Sequence, residues 1–142
     1  MSSTDPCRTE PPNDILTELN AGVLIAVEDR LVGRQLARML TKKGYEDVRA
    51  VSSAARALVA DHDYAPGIIF VDLDLSEDAY DLARALNLQA GQDPIRLIAL
   101  TPAIDHSTRE RARRAGFERW LVTPVVQDEL DDLLAALPTP PV

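Results

Sequence analysis

The chain has 142 residues, 46% hydrophobic and 27% charged, with a formal net charge of −8. That length suits one domain with a full core, and the acidic balance argues against a dedicated nucleic-acid surface. A lone cysteine, Cys7, excludes an internal disulfide and fits a reducing compartment, and no apolar run nears the roughly 20 residues that span a bilayer.

Met1–Asn13 is polar and carries three prolines, so residues 1–21 read as a tail with a short lead-in at Ile15–Asn20. It lacks the basic start and hydrophobic stretch of a signal peptide. Val23–Val27 is a short apolar run, the first predicted strand, and it ends in Glu28-Asp29. From Arg30 to Lys43, the apolar spacing 32, 36, 39, 40 predicts a helix with one buried stripe, stopped by Lys42-Lys43-Gly44. Asp47–Val51 is a weaker strand, and Ser52 or Ser53 caps a helix over Ala54–Asp63.

Pro66-Gly67 turns the chain into Ile68–Val71, a continuous run of β-formers that reads as a strand buried on both faces. Asp72 ends that run, and Asp74 follows two residues on. A helix is expected from Glu77-Asp78 to about Ala90, closed by Gly91 and Pro94. Ile95–Leu100 is the fourth strand, followed by Thr101-Pro102. An arginine-rich helix covers roughly Asp105–Ala115, and Glu118–Val122 is the fifth strand, followed by Thr123-Pro124. The last helix, about Val126–Leu137, ends at Pro138, so residues 138–142 form a Pro-rich tail.

Strands and helices alternate five times. This predicts a three-layer αβα, doubly wound five-stranded parallel sheet with right-handed crossovers, folded over residues 22–137. Parallel strands bring their carboxyl ends to one edge. If the first and third are neighbours, as in the order 2-1-3-4-5, Glu28, Asp29, Asp72 and Asp74 converge. Close carboxylates raise one another's pKa values or are neutralised by a cation, and all-oxygen donors suit magnesium. Asp72 is then a candidate nucleophile toward a phosphoryl group, although an acidic turn capping the next helix explains it as well. Thr101 could offer a hydroxyl there or merely close a turn. Trp120, the only tryptophan, reads as a partly buried core aromatic.

VLIAVED, IIFVDLDL, LIALT and WLVTP, in this order and spacing, resemble bacterial response-regulator receiver domains of the CheY-like kind. The resemblance covers about residues 22–137 and implies a signalling module, not an enzyme, in the cytoplasm. It implies Asp72 as phosphoacceptor and Thr101 as switch hydroxyl, with Trp120 in the place of the switch aromatic. The implied Mg2+ ligands are Glu28, Asp29, Asp72 and the backbone carbonyl of Asp74. The implied partners are a histidine kinase or phosphotransfer protein and a downstream protein, with no nucleic acid or membrane contacted directly.

Three places depart from the family pattern. Thr123 replaces the lysine before the strand-five proline, so a point charge on the phosphoryl group is lost. Pro102, after the switch threonine, has no N–H to donate. The loop opening the third helix, Ser76 to Ala79, is altered too. Arg30 could compensate as a guanidinium beside the acids, or be a solvated first-turn residue. These departures motivate an alternative: a pseudo-receiver that binds partners without phosphorylation.

Arg109, Arg111, Arg113 and Arg114 sit on one helix, and Asp128, Glu129, Asp131 and Asp132 on the last. The charges read as solvated faces. Their opposite signs also suggest a homodimer through helix 105–115, strand 118–122 and helix 126–137. Asp72-x-Asp74 resembles the first motif of haloacid-dehalogenase-like phosphohydrolases as well, but that motif usually opens the first strand and is followed by Gly-Thr, whereas here it ends the third strand and leads into Leu75-Ser76. No GxxxxGK[ST] is present, which removes a phosphate-binding-loop reading.

Overall fold

The structure, a computed structural model, describes residues 22–64, 66–75, 78–91, 95–103 and 105–137. Cys7, the lead-in at 15–20, Ser76, Glu77, Pro94 and the tail 138–142 lie outside the described residues. In chain order the elements are β1 (Val23–Ala26), α1 (Arg30–Lys42), β2 (Val48–Val51), α2 (Ala54–Tyr64), β3 (Ile68–Asp72), α3 (Ala79–Ala90), β4 (Arg96–Thr101), α4 (His106–Ala115), β5 (Phe117–Val122) and α5 (Gln127–Ala136).

The sheet is parallel throughout, in the order β2-β1-β3-β4-β5. The continuous apolar runs occupy its centre. β1 is buried along its whole length, and so are the first four residues of β3, because helices cover both faces. The edge strands β2 and β5 leave residues exposed, which is why their sequences are more polar.

Successive side chains alternate between two cores. Leu24, Ala26, Ile69, Val71, Leu97 and Ala99 face the layer that includes α2, α3 and α4. Val23, Ile25, Ile68, Phe70, Ile98 and Leu100 meet Leu36 and Leu40 of α1 and Leu130 and Leu133 of α5. A polar tie joins two helices of the first layer. The Gln89 side-chain amide of α3 donates to the buried Asp61 carboxylate of α2 at 2.6 Å and to the Leu58 carbonyl at 3.2 Å.

Element ends differ from the sequence expectation by one or two residues, and caps explain the helix starts. Asp78 accepts from the N–H groups of Tyr80 and Asp81, so α3 begins at Ala79. Asp105 caps α4 through Thr108, and Ser53, of the two serines considered, caps α2 through Arg56. Gly116 closes α4 at φ 110°, a left-handed conformation that disfavours any side chain.

Candidate functional site

β1 and β3 are hydrogen-bonded neighbours, with Ala26 opposite Val71. The chain therefore leaves both strands at one edge, with Glu28-Asp29 and Asp72-Leu73-Asp74 side by side. Asp72 is the last residue of β3, opposite Leu100 of β4. Its Oδ1 accepts from the Asp74 N–H at 2.9 Å, and its carbonyl accepts from the Leu75 N–H at 3.2 Å. One carboxylate oxygen is thus fixed by the turn, and among the described residues the other makes no hydrogen bond. Asp29 divides its oxygens similarly, since one accepts from the Leu31 N–H at 2.9 Å and starts α1. Glu28 and Asp74 are exposed beside them.

Partial burial raises the Asp72 pKa above its ordinary carboxylate value. The Asp74 N–H pulls the other way, while the charges of Asp74, Glu28 and Asp29 add to the rise. The four acids read from the sequence therefore do form one electrostatic cluster. Among the described residues, no three His, Cys, Asp or Glu side chains close into a metal cage. A hydrated magnesium ion needs only one or two carboxylates and keeps several waters. Two carboxylates, Asp29 and Asp72, each with an oxygen to spare among the described residues, fit an ion of that kind.

Thr101 ends β4 and is only 5% exposed. Its hydroxyl donates to the Ala103 carbonyl at 2.8 Å, so in this conformation it serves its own loop. Pro102 is exposed within that loop. Thr123, just past β5, is tied back by its N–H to the Thr101 carbonyl at 2.9 Å, and the Thr123-Pro124 peptide is cis. Its hydroxyl makes no hydrogen bond among the described residues.

Trp120 pairs with Ala99 and packs half-buried against the first core. The Arg109 guanidinium lies 5.6 Å from its ring centroid. The sequence gives the core position of Trp120 but not this contact across α4 and β5. Arg30 begins α1, exposed, and among the described residues makes no ion pair with the acids.

The response regulator receiver domain family matches residues 23–135. The chain belongs to this family. Receiver domains are signalling modules of two-component systems, and as a family they generally bind magnesium and interact with kinases or phosphotransfer proteins and with downstream partners. The chain is 28% identical over 130 residues to the transcriptional regulatory protein PdtaR of Mycobacterium tuberculosis, a match covering 91% of this chain and 60% of that protein. It therefore spans about three fifths of that curated relative's length.

Among solved structures, CheY4 of Vibrio cholerae superposes with a TM-score of 0.75 at 19% identity, covering 82% of this chain and 98% of that one. The signal receiver domain of a modulated diguanylate cyclase from Desulfovibrio desulfuricans G20 gives 0.69 at 29% identity, covering 81% and 90%. Among the described residues, no helix of this receiver is long and apolar enough to cross a membrane.

Proposed function

We propose that the receiver, over residues 22–137, accepts a phosphoryl group on Asp72 in the cytoplasm and signals through protein contact. The observation that carries this reading is the state of Asp72. Its carboxylate ends the central strand with one oxygen held by the Asp74 N–H and one unbonded among the described residues. A turn-held carboxylate with a free oxygen is preorganised for attack.

The donor is a phosphohistidine of a kinase or phosphotransfer protein. A bond forms between the Asp72 oxygen and phosphorus, the phosphorus–nitrogen bond breaks, and the leaving imidazole retains the electron pair and takes up a proton. Glu28, Asp29, Asp72 and the Asp74 carbonyl would hold a divalent cation, which would supply positive charge against phosphoryl oxygens. The hydroxyls of Thr101 and Thr123 are the side-chain donors remaining at the ends of β4 and β5, where Pro102 supplies no N–H.

A second reading rests on a specific observation: the Thr101 hydroxyl is engaged by Ala103, and Thr123 brings no charge. In that reading the fold is a pseudo-receiver whose partner binding ignores phosphorylation. Incubation with acetyl phosphate and magnesium, followed by intact mass, separates the two. The first reading expects one added phosphoryl group, absent in Asp72→Ala. No adduct from acetyl phosphate or from any phosphohistidine donor would leave the pseudo-receiver.

A further inference from the structure

α1 carries a second pattern beside its apolar stripe. Arg30, Arg34, Arg38 and Lys42 recur every fourth residue and therefore line one side of the helix. At about 1.5 Å of rise per residue the line runs about 18 Å. All four are exposed, and among the described residues none makes an ion pair. Local electrostatics oppose the arrangement. Like charges four apart on a helix repel, and Arg30 sits in a first turn that has no acid, where the dipole favours one. A stripe with no use inside the fold points outward.

α5 carries the opposite pattern. Asp128, Glu129 and Asp132 are exposed, and none of them is ion-paired among the described residues. Only Asp131 is engaged, by Lys43 at 3.7 Å and by the Gln127 amide at 2.9 Å. The Lys43–Asp131 contact links the end of α1 to α5, and both helices pack on one core. A cationic helix and an anionic helix thus share one face of the sheet.

α4 is not the match for the acids of α5. Arg109 lies over Trp120, Arg111 lies 4.2 Å from the Tyr80 ring centroid, and Arg113 is bidentate to Glu110. Three of its four arginines are already used within the fold. Ala112 and Ala115 also set it in the opposite layer.

We propose that the α1–α5 face binds a second copy of this chain about a two-fold axis. Arg34, Arg38 and Lys42 of each copy meet Asp128, Glu129 and Asp132 of the other. A face with a positive half beside a negative half is complementary to itself under that rotation. The net charge of −8 disfavours a nucleic acid or an anionic membrane as the occupant. The contact is polar, so ionic strength controls it. It does not depend on phosphorylation of Asp72.

Sedimentation of the full chain tests this. At about 10 mM salt, where the Debye length is about 30 Å, a dimer is expected; at about 1 M it dissociates. R34Q/R38Q should raise the dissociation constant at least tenfold. R34E/R38E and D128K/D132K should each be monomeric alone, and an equimolar mixture should dimerise, because each recharged helix meets its complement. A wild type that stays monomeric at about 0.1 mM protein in low salt overturns the proposal. A dimer that persists in R34E/R38E, with circular dichroism reporting a folded variant, overturns it as well.

Discussion

Asp72→Asn should stabilise the metal-free protein. The substitution keeps the side-chain shape and an oxygen to accept from the Asp74 N–H, now at 2.9 Å. It removes the charge that burial and three neighbouring acids oppose. Exposed charge pairs are each worth about 0.2–1 kcal/mol. Asp74, Glu28 and Asp29 together therefore give about 1–2 kcal/mol of relief after screening. Replacing a charge-assisted hydrogen bond with a neutral one returns part of that. The net expectation is about 1 kcal/mol at neutral pH, or about 4 °C in midpoint for a domain of this size.

The sign with pH follows from the direction of the shift. A carboxyl whose folded pKa is raised binds its proton more tightly when folded. Its contribution is present in full below the unfolded value of 3.8 and is lost as pH rises through the folded pKa. The advantage of Asp72→Asn should therefore shrink as pH falls through that window and vanish near the unfolded value. Urea unfolding of both proteins in chelator, at several pH values, measures this. A variant that is neutral or less stable than wild type at neutral pH refutes the electrostatic account of the site.

Thr123→Lys restores a cation at the end of β5. A charge contact near 4 Å at an effective dielectric of 20 is worth roughly 4 kcal/mol before desolvation. If a third survives, the adduct formed with acetyl phosphate rises about tenfold, measured by mass against time. Gly116→Ala should cost about 2–3 kcal/mol in urea unfolding. Its φ is 110°, and the added methyl would meet the Asn87 amide, which donates to the Ala115 carbonyl at 3.4 Å. Asn87→Ala alone should cost about 1 kcal/mol, and the double variant less than the sum, because the amide is the obstacle.

The parallel sheet was legible in the fivefold alternation of strands and helices, but its order entered only as a condition, β1 beside β3, which the resemblance to receiver domains implied and the structure bears out. The acid cluster followed from that order and needed no coordinates. The partner of the Thr101 hydroxyl was not legible, since Ala103 competes for it only once the loop geometry is set. Nor were the ring contacts of Arg109 and Arg111, because each joins two elements. The α1 cations are visible as a spacing of four. Their lack of partners is a tertiary property, which no spacing encodes.

In the proposed phosphoryl transfer, Thr123 and Pro102 would bear on the chemistry far more than on folding. Thr123 contributes to the fold through a backbone N–H on Thr101, which a lysine would supply equally, and Pro102 lies exposed in its loop. Stability measurements are therefore blind to whether the phosphoryl pocket works. The acids differ, because they cost the metal-free fold something that a cation can return. A ligand present at ten times its dissociation constant adds about 1.4 kcal/mol. If the cluster binds magnesium, wild type gains stability with added metal and Asp72→Asn gains less, so the two converge. If it binds nothing, the advantage of Asp72→Asn persists at every magnesium concentration. One variant in one titration thus separates a working metal site from a residual acidic cluster, independently of any phosphodonor.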